Sequence, residues 1–187
     1  MRYFKLLLDD SNGNDVVGHC DNTYGLEQYE LSQGEYIHDW NKDTTFVFNP
    51  SEGDRLTDYL ANNLGWFIVS TRFKRVLYDL NEDGVQYLPV KVVNSEDKTV
   101  LNDYYVANVI NVVDAINLKY SDYSVINFGD EKIYSIIKYA LNKKEIKMHH
   151  LFKLKGFEIP IFVSESLKEL VTKNNITGCE FLEIKVV

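Results

Sequence analysis

The sequence predicts an α+β fold in a single domain, and three features carry that prediction. Residues 67–93 read as strand, helix, strand. Residues 161–187 read the same way, and β-branched runs lie between and before them. The 187 residues, 45% hydrophobic and 26% charged, suit a globular chain that needs no metal or disulfide to hold its core. Ten glycines and three prolines argue against a long disordered linker.

Taken in order, residues 3–8 and 44–49 look like strands, separated by an irregular acidic stretch. Ser51-Glu52-Gly53-Asp54 resembles a capping box, predicting a helix to Asn62 or Asn63 with Leu56, Tyr59 and Leu60 inward. A short strand at 67–69 then meets Ser70, placed to accept from the free amides of a helix start. Phe73, Val76 and Leu77 give that helix one apolar stripe. Gly84 falls at the turn before the next strand and is expected at positive φ. Pro89 lacks an amide donor, which predicts an edge strand or a bulge.

Further strands are expected at 104–113, 123–128 and 148–154. Between the last two, Ile133, Ile136, Ile137, Ala140 and Leu141 recur at helical spacing. Asp130 and Glu131 precede them, Lys143 and Lys144 follow, and that order of charge suits a helix dipole. The chain then repeats itself. Residues 67–93 and 161–187 align without a gap at an offset of 94, with nine of 27 positions identical, a register chance explains poorly. In the second copy Ser164 is the expected cap, Leu167, Leu170 and Val171 the stripe, and Gly178 the turn. The spacing is too long for a stacked repeat, so duplication inside one domain is the reading.

Charge is unevenly placed. The net charge is −8, and residues 1–66 hold four bases against twelve acids, while residues 67–187 hold sixteen of each. The excess centres on residues 9–43. Such a field repels phosphate backbones and attracts cationic partners, so nucleic acid is an unsuitable ligand. The tyrosines among these acids suit a protein interface. The candidate partner-binding residues are Asp9, Asp10, Asp15, Asp21, Tyr24, Glu27, Tyr29, Glu30, Glu35, Tyr36 and Asp39. The blander alternative is a solvated face with tyrosines packed into loops. The lysines of 132–155 read as a solvated helix.

Catalytic signals are weak. No nucleotide-binding glycine motif, HExxH, CxxC pair or GxSxG occurs. His19, Cys20, His38 and Asp39 include zinc-ligand types, but adjacent His19 and Cys20 diverge. His149 and His150 should face opposite sides of a strand. No cofactor, metal or catalytic residue is predicted. No apolar run reaches the about 20 residues of a membrane span, and no signal peptide opens the chain, so a reduced cytoplasm is expected for Cys20 and Cys179.

One stretch carries a family resemblance: Asp58-Tyr59-Leu60-Ala61-Asn62-Asn63-Leu64-Gly65-Trp66-Phe67-Ile68-Val69-Ser70-Thr71-Arg72-Phe73-Lys74. With Gly84-Val85-Gln86-Tyr87-Leu88-Pro89-Val90 and the run from Ile161 to Ile184, it resembles an immunity-protein domain of bacterial polymorphic toxin systems. Val109 to Ala115 and His150 to Leu154 fit the same pattern. The resemblance covers residues 44–187, and residues 1–43 form an acidic region outside it. It implies a non-enzymatic protein that binds and neutralises a cognate toxin, one that is basic if it is a nuclease. A regulatory or scaffold binding module is the alternative. A small hydrolase built on His19, Cys20 and Asp21 is a third. Oligomeric state is not legible.

Overall fold

The computed structural model describes residues 1–80, 84–129 and 131–187. The fold is mostly β, with 44% strand and 13% helix, which corrects the α+β expectation. In chain order the strands are β1 (Tyr3–Leu8), β2 (Val17–Gly18), β3 (Thr45–Phe48), β4 (Tyr59–Asn62), β5 (Ile68–Ser70), β6 (Val85–Asn94), β7 (Val100–Val109) and β8 (Val112–Val113). There follow β9 (Asp122–Phe128), β10 (Glu131–Lys138), β11 (Ala140–Leu141), β12 (Leu151–Leu154), β13 (Phe157–Ser164), β14 (Cys179–Glu183) and β15 (Lys185–Val186). The helices α1 (Thr71–Tyr78), α2 (Lys143–Ile146) and α3 (Glu165–Lys173) are short, and Glu30–Ser32 forms one 3-10 turn.

Two sheets carry the architecture. One has six strands in the order β2-β4-β5-β7-β6-β3, the other five in the order β14-β1-β13-β12-β8. Period-two alternation assigns their side chains to three apolar layers. Phe4 and Leu6 of β1, Phe67, Val69 of β5, Ala107 of β7 and Val163 of β13 meet between the sheets, together with Phe73, Leu77 and Leu167 of the helices. Ile68, Leu88, Val90, Tyr104 and Val106 point to the far side of the six-stranded sheet, under the N-terminal loop. Tyr3, Phe152 and Phe162 point to the far side of the five-stranded sheet, toward Leu141 and Ile146. Strands clad on both faces carry adjacent apolar residues, and this is why they are hard to tell from buried helix.

The segments 67–93 and 161–187 do not form a duplicated self-contained unit. Their strands enter different sheets, and neither pair is adjacent. The antiparallel β7 lies between β5 and β6, and the antiparallel β1 lies between β13 and β14. One separating strand follows its segment in sequence and the other comes from the far end of the chain. Both helices begin at a serine: Ser70 Oγ accepts from the Phe73 amide at 3.2 Å and Ser164 Oγ from the Leu167 amide at 3.3 Å.

Three local expectations are also corrected. The stretch 51–63 holds no helix; it turns and enters β4, where Tyr59 faces the inter-sheet layer and Leu60 the layer beyond. The helix expected from Ile133 to Leu141 is two strands: β10, paired with β9 in a hairpin that joins neither sheet, and β11, paired with β15. Ile133 and Ile137 lie on one face of β10 and Ile136 on the other, so isoleucines on both faces imitate helical spacing. Asp130 lies outside the described residues. Gly84 does not have positive φ. It is small because a Cβ there would stand 2.5 Å from the Cβ of Asn111, whereas Gly178 does have positive φ, at +82°. Pro89 sits before the point where β3 joins β6 at Lys91, beside a register shift at Val90/Val92, so its missing amide removes no ladder bond.

Candidate partner-binding surface

Residues 9–43 are irregular yet firmly held. Leu31, Cys20 and Val16 are buried on the six-stranded sheet, with Leu26, Ile37 and Trp40 packed beside them. Irregular backbone on a sheet leaves amides and carbonyls that need partners, and sheet side chains supply them. Gln86 clamps Ile37 from both sides, its Oε1 accepting from Ile37 N at 3.0 Å and its Nε2 donating to Ile37 O at 2.7 Å. Asn63 clamps Cys20 in the same way, at 2.9 and 3.2 Å. Trp66 Nε1 donates to Gln28 O, Trp40 Nε1 to Pro89 O, and Asn108 Nδ2 to Glu35 O. A loop so pinned orders the side chains that face outward.

The predicted residues fall into separate groups. Asp9, Asp10 and Asp15 lie on the turn beyond β1. Asp9 Oδ1 accepts from Ser11 N at 3.0 Å, and hydrogen bonding from the Ser11 hydroxyl first, then from this amide, holds its carboxyl below the usual range. Asp15 is committed to a bidentate pair with Arg55, so it is not free for a partner. Asp21 and Tyr24 stand on the next turn, with Tyr24 at positive φ, 49% exposed. Glu27 and Tyr29 lie at the edge of a large cleft. Glu30, Glu35, Tyr36 and Asp39 come together with His38 around a surface notch of about 250 Å³. Tyr29 and Tyr36 are 58% and 56% exposed, so neither is spent on packing. Glu30 also accepts from Glu27 N at 2.6 Å, fixing its carboxylate on the 3-10 turn.

Two features go beyond the predicted residues, of which only Glu27 and Tyr29 touch the first. The first is the cleft between the sheets, about 650 Å³, with Leu6, Trp66, Phe67, Val106 and Ile161 among its walls and Lys153 at its lining. Lys153 is 2% exposed and donates to Leu31 O at 3.0 Å. Burial pushes its ammonium down to about 8. The sequence signal was a single lysine inside Leu151-Phe152-Lys153-Leu154, four residues that are all buried. The second is the β9–β10 hairpin, where Ile126, Ile133 and Ile137 are exposed.

The chemistry considered around Cys20 finds a poor setting. The thiol is buried, donates to Asn22 O at 3.3 Å, and burial pushes its pKa up, so thiolate is disfavoured. Among the described residues no group of three or more His, Cys, Asp or Glu side chains is arranged to hold a metal ion. His149 Nδ1 lies 3.1 Å from Asn111 Nδ2 and His150 Nδ1 lies 2.7 Å from Ser164 Oγ, so the two rings serve different neighbours. No helix of the described residues is long and apolar enough to cross a membrane.

The loop thus displays acids and tyrosines from a backbone pinned to a two-sheet scaffold. The chain matches the immunity protein family (Imm11) over residues 2–186. It belongs to that family, and the match includes the first 43 residues, which the sequence resemblance had left out. None of the curated proteins matches the chain.

Proposed function

We propose that the protein neutralises a cognate toxin in the bacterial cytoplasm by direct, non-catalytic binding through its pinned acidic loop. Family membership supports toxin neutralisation. The observation that carries the choice of surface is the notch where Glu30, Glu35 and Asp39 stand around Tyr36. Three carboxylates around one concavity favour an Arg or Lys side chain, and a basic toxin such as a nuclease supplies one. The exposed tyrosines add contact area at low entropy cost.

The test uses the toxin encoded beside this gene. A triple variant, Glu30→Gln, Glu35→Gln and Asp39→Asn, should associate more slowly, show a flatter salt dependence, and protect growth less. An unchanged association rate and full protection would remove the notch from the interface. The exposed isoleucines of the β9–β10 hairpin support a second contact surface, and Ile126→Lys with Ile133→Lys tests it in the same assay.

A further inference from the structure

We propose that the cleft between the two sheets binds a small amphiphilic monocarboxylate. Its carboxylate would sit against the Lys153 ammonium and its apolar tail along Leu6, Phe67 and Ile161.

The placement of Lys153 is the starting point. On β12, Phe152 and Leu154 face the far layer while Leu151 faces the inter-sheet layer, so alternation directs Lys153 between the sheets as well. An apolar residue would be the ordinary occupant there. A buried ammonium carries three donors and needs acceptors for them, yet its hydrogen bond among the described residues is the one to Leu31 O. None of the ion pairs among those residues includes it. Glu158 raises its pKa through space, but that carboxylate is turned to its own loop, accepting from Gly156 N at 2.6 Å.

The cavity defines the rest of the ligand. About 650 Å³ falls within the range of small-molecule sites, roughly 300–1,000 Å³. Its walls are chiefly apolar, and its charged lining residues are Lys5, Glu27 and Lys153. One buried cation, with no arginine in the lining, matches a single negative charge better than a phosphate. An apolar tail replaces water on Leu6, Phe67 and Ile161. The low pKa of Lys153 agrees with a cation short of a counter-charge, and at neutral pH it remains protonated. A purely structural lysine that tethers Leu31 would be indifferent to such ligands, and this is what the experiment separates.

The probes are octanoate, octanol and octylammonium, followed by calorimetry and by the emission of Trp66. Octanoate should bind the full chain and shift that emission. Octanol should bind about tenfold more weakly, the loss expected for one charge-assisted hydrogen bond, and octylammonium should not bind. Lys153→Met should erase the preference for octanoate over octanol. Ile159→Glu, at an exposed position on the cleft, should weaken octanoate without touching the core. Absence of octanoate binding by the wild-type protein, or equal octanoate binding by Lys153→Met, would overturn the proposal. If Lys153→Met does not fold, the wild-type ratio of octanoate to octanol decides: a ratio near one overturns it.

Discussion

The Asp58 carboxylate grips Thr177, 119 residues away, by both its amide and its hydroxyl, at 3.0 and 3.1 Å. Its other oxygen accepts from Ser70 Oγ at 2.6 Å, and Arg72 lies 3.7 Å from the oxygen that takes Thr177. One buried carboxylate therefore ties the start of α1 to the turn that precedes β14. Asp58→Ala removes the acceptor of the Ser70 hydroxyl and of the Thr177 amide and hydroxyl, and should destabilise by about 2–4 kcal/mol. Ser164→Ala, which loses a cap and the His150 contact, should cost about 1–2 kcal/mol. Urea unfolding of both variants checks the order, and an Asp58→Ala protein as stable as wild type would refute it.

Lys153 makes stability depend on pH in a direction opposite to that of most lysines. Below about pH 8 the side chain is charged in the folded and unfolded states, and folding bears the cost of burying it. Between about 8 and the ordinary value of 10.5 the folded form loses its proton first, so stability rises with pH. The gain is at most about 3 kcal/mol. Cys179, whose thiol burial pushes up to about 12 from 9.0, works the other way, because above pH 9 the unfolded thiol ionises and stability falls. The difference between wild type and Lys153→Met isolates the lysine. Lys153→Met should be the more stable protein at pH 7, with its advantage shrinking by pH 10.

Gly178 and Gly84 should respond differently to alanine. Gly178 combines a φ of +82° with a backbone carbonyl, that of Tyr59, in the path of a Cβ. Gly178→Ala should cost about 2–4 kcal/mol. At Gly84 the backbone is ordinary and the obstacle is the side chain of Asn111, itself held by Leu151 O at 3.0 Å. Gly84→Ala should cost about 1–2 kcal/mol, and Gly84→Ala with Asn111→Ala should recover part of it. Thermal unfolding of the three variants gives the comparison.

Neutralising acids should separate the groups that the loop keeps apart. Asp15→Asn breaks the Arg55 pair, so it should lower stability by about 0.5–1 kcal/mol and leave toxin association unchanged. Glu35→Gln and Asp39→Asn, both exposed, should leave stability within about 0.5 kcal/mol while slowing association. Chemical denaturation beside association kinetics distinguishes the two effects for each variant.

How far the sequence could be read depended on how many faces each element buries. A serine followed by an apolar stripe marks a helix start, and α1 and α3 begin there. The strand runs at 3–8 and 44–49 were legible because short stretches rich in aromatic or β-branched residues fit buried pleats. Tyr59 and Leu60 misled because neighbours on a strand clad on both faces imitate a helical stripe. Ile133 and Ile136 misled because they lie on opposite faces of β10. The acids of the loop were legible from composition, but their division into a paired Asp15 and an open notch depends on Arg55 and on the bend of the chain. Lys153 could be seen as unusual, while the cavity beside it arises only when both sheets are stacked.

The place of β1 has a consequence for how the protein is made. Tyr3 pairs with Ser164 and Phe4 with Glu183, so β1 leaves the ribosome long before the strands that flank it. At about 5–20 residues per second, Tyr-Phe-Lys-Leu-Leu-Leu waits on the order of ten to thirty seconds with both edges open. Throughout that interval it is a ready substrate for chaperones and for other nascent chains. Slowing elongation across β12 and β13 lengthens the exposure, so codon choice in that stretch should govern how much of the product reaches the soluble pool.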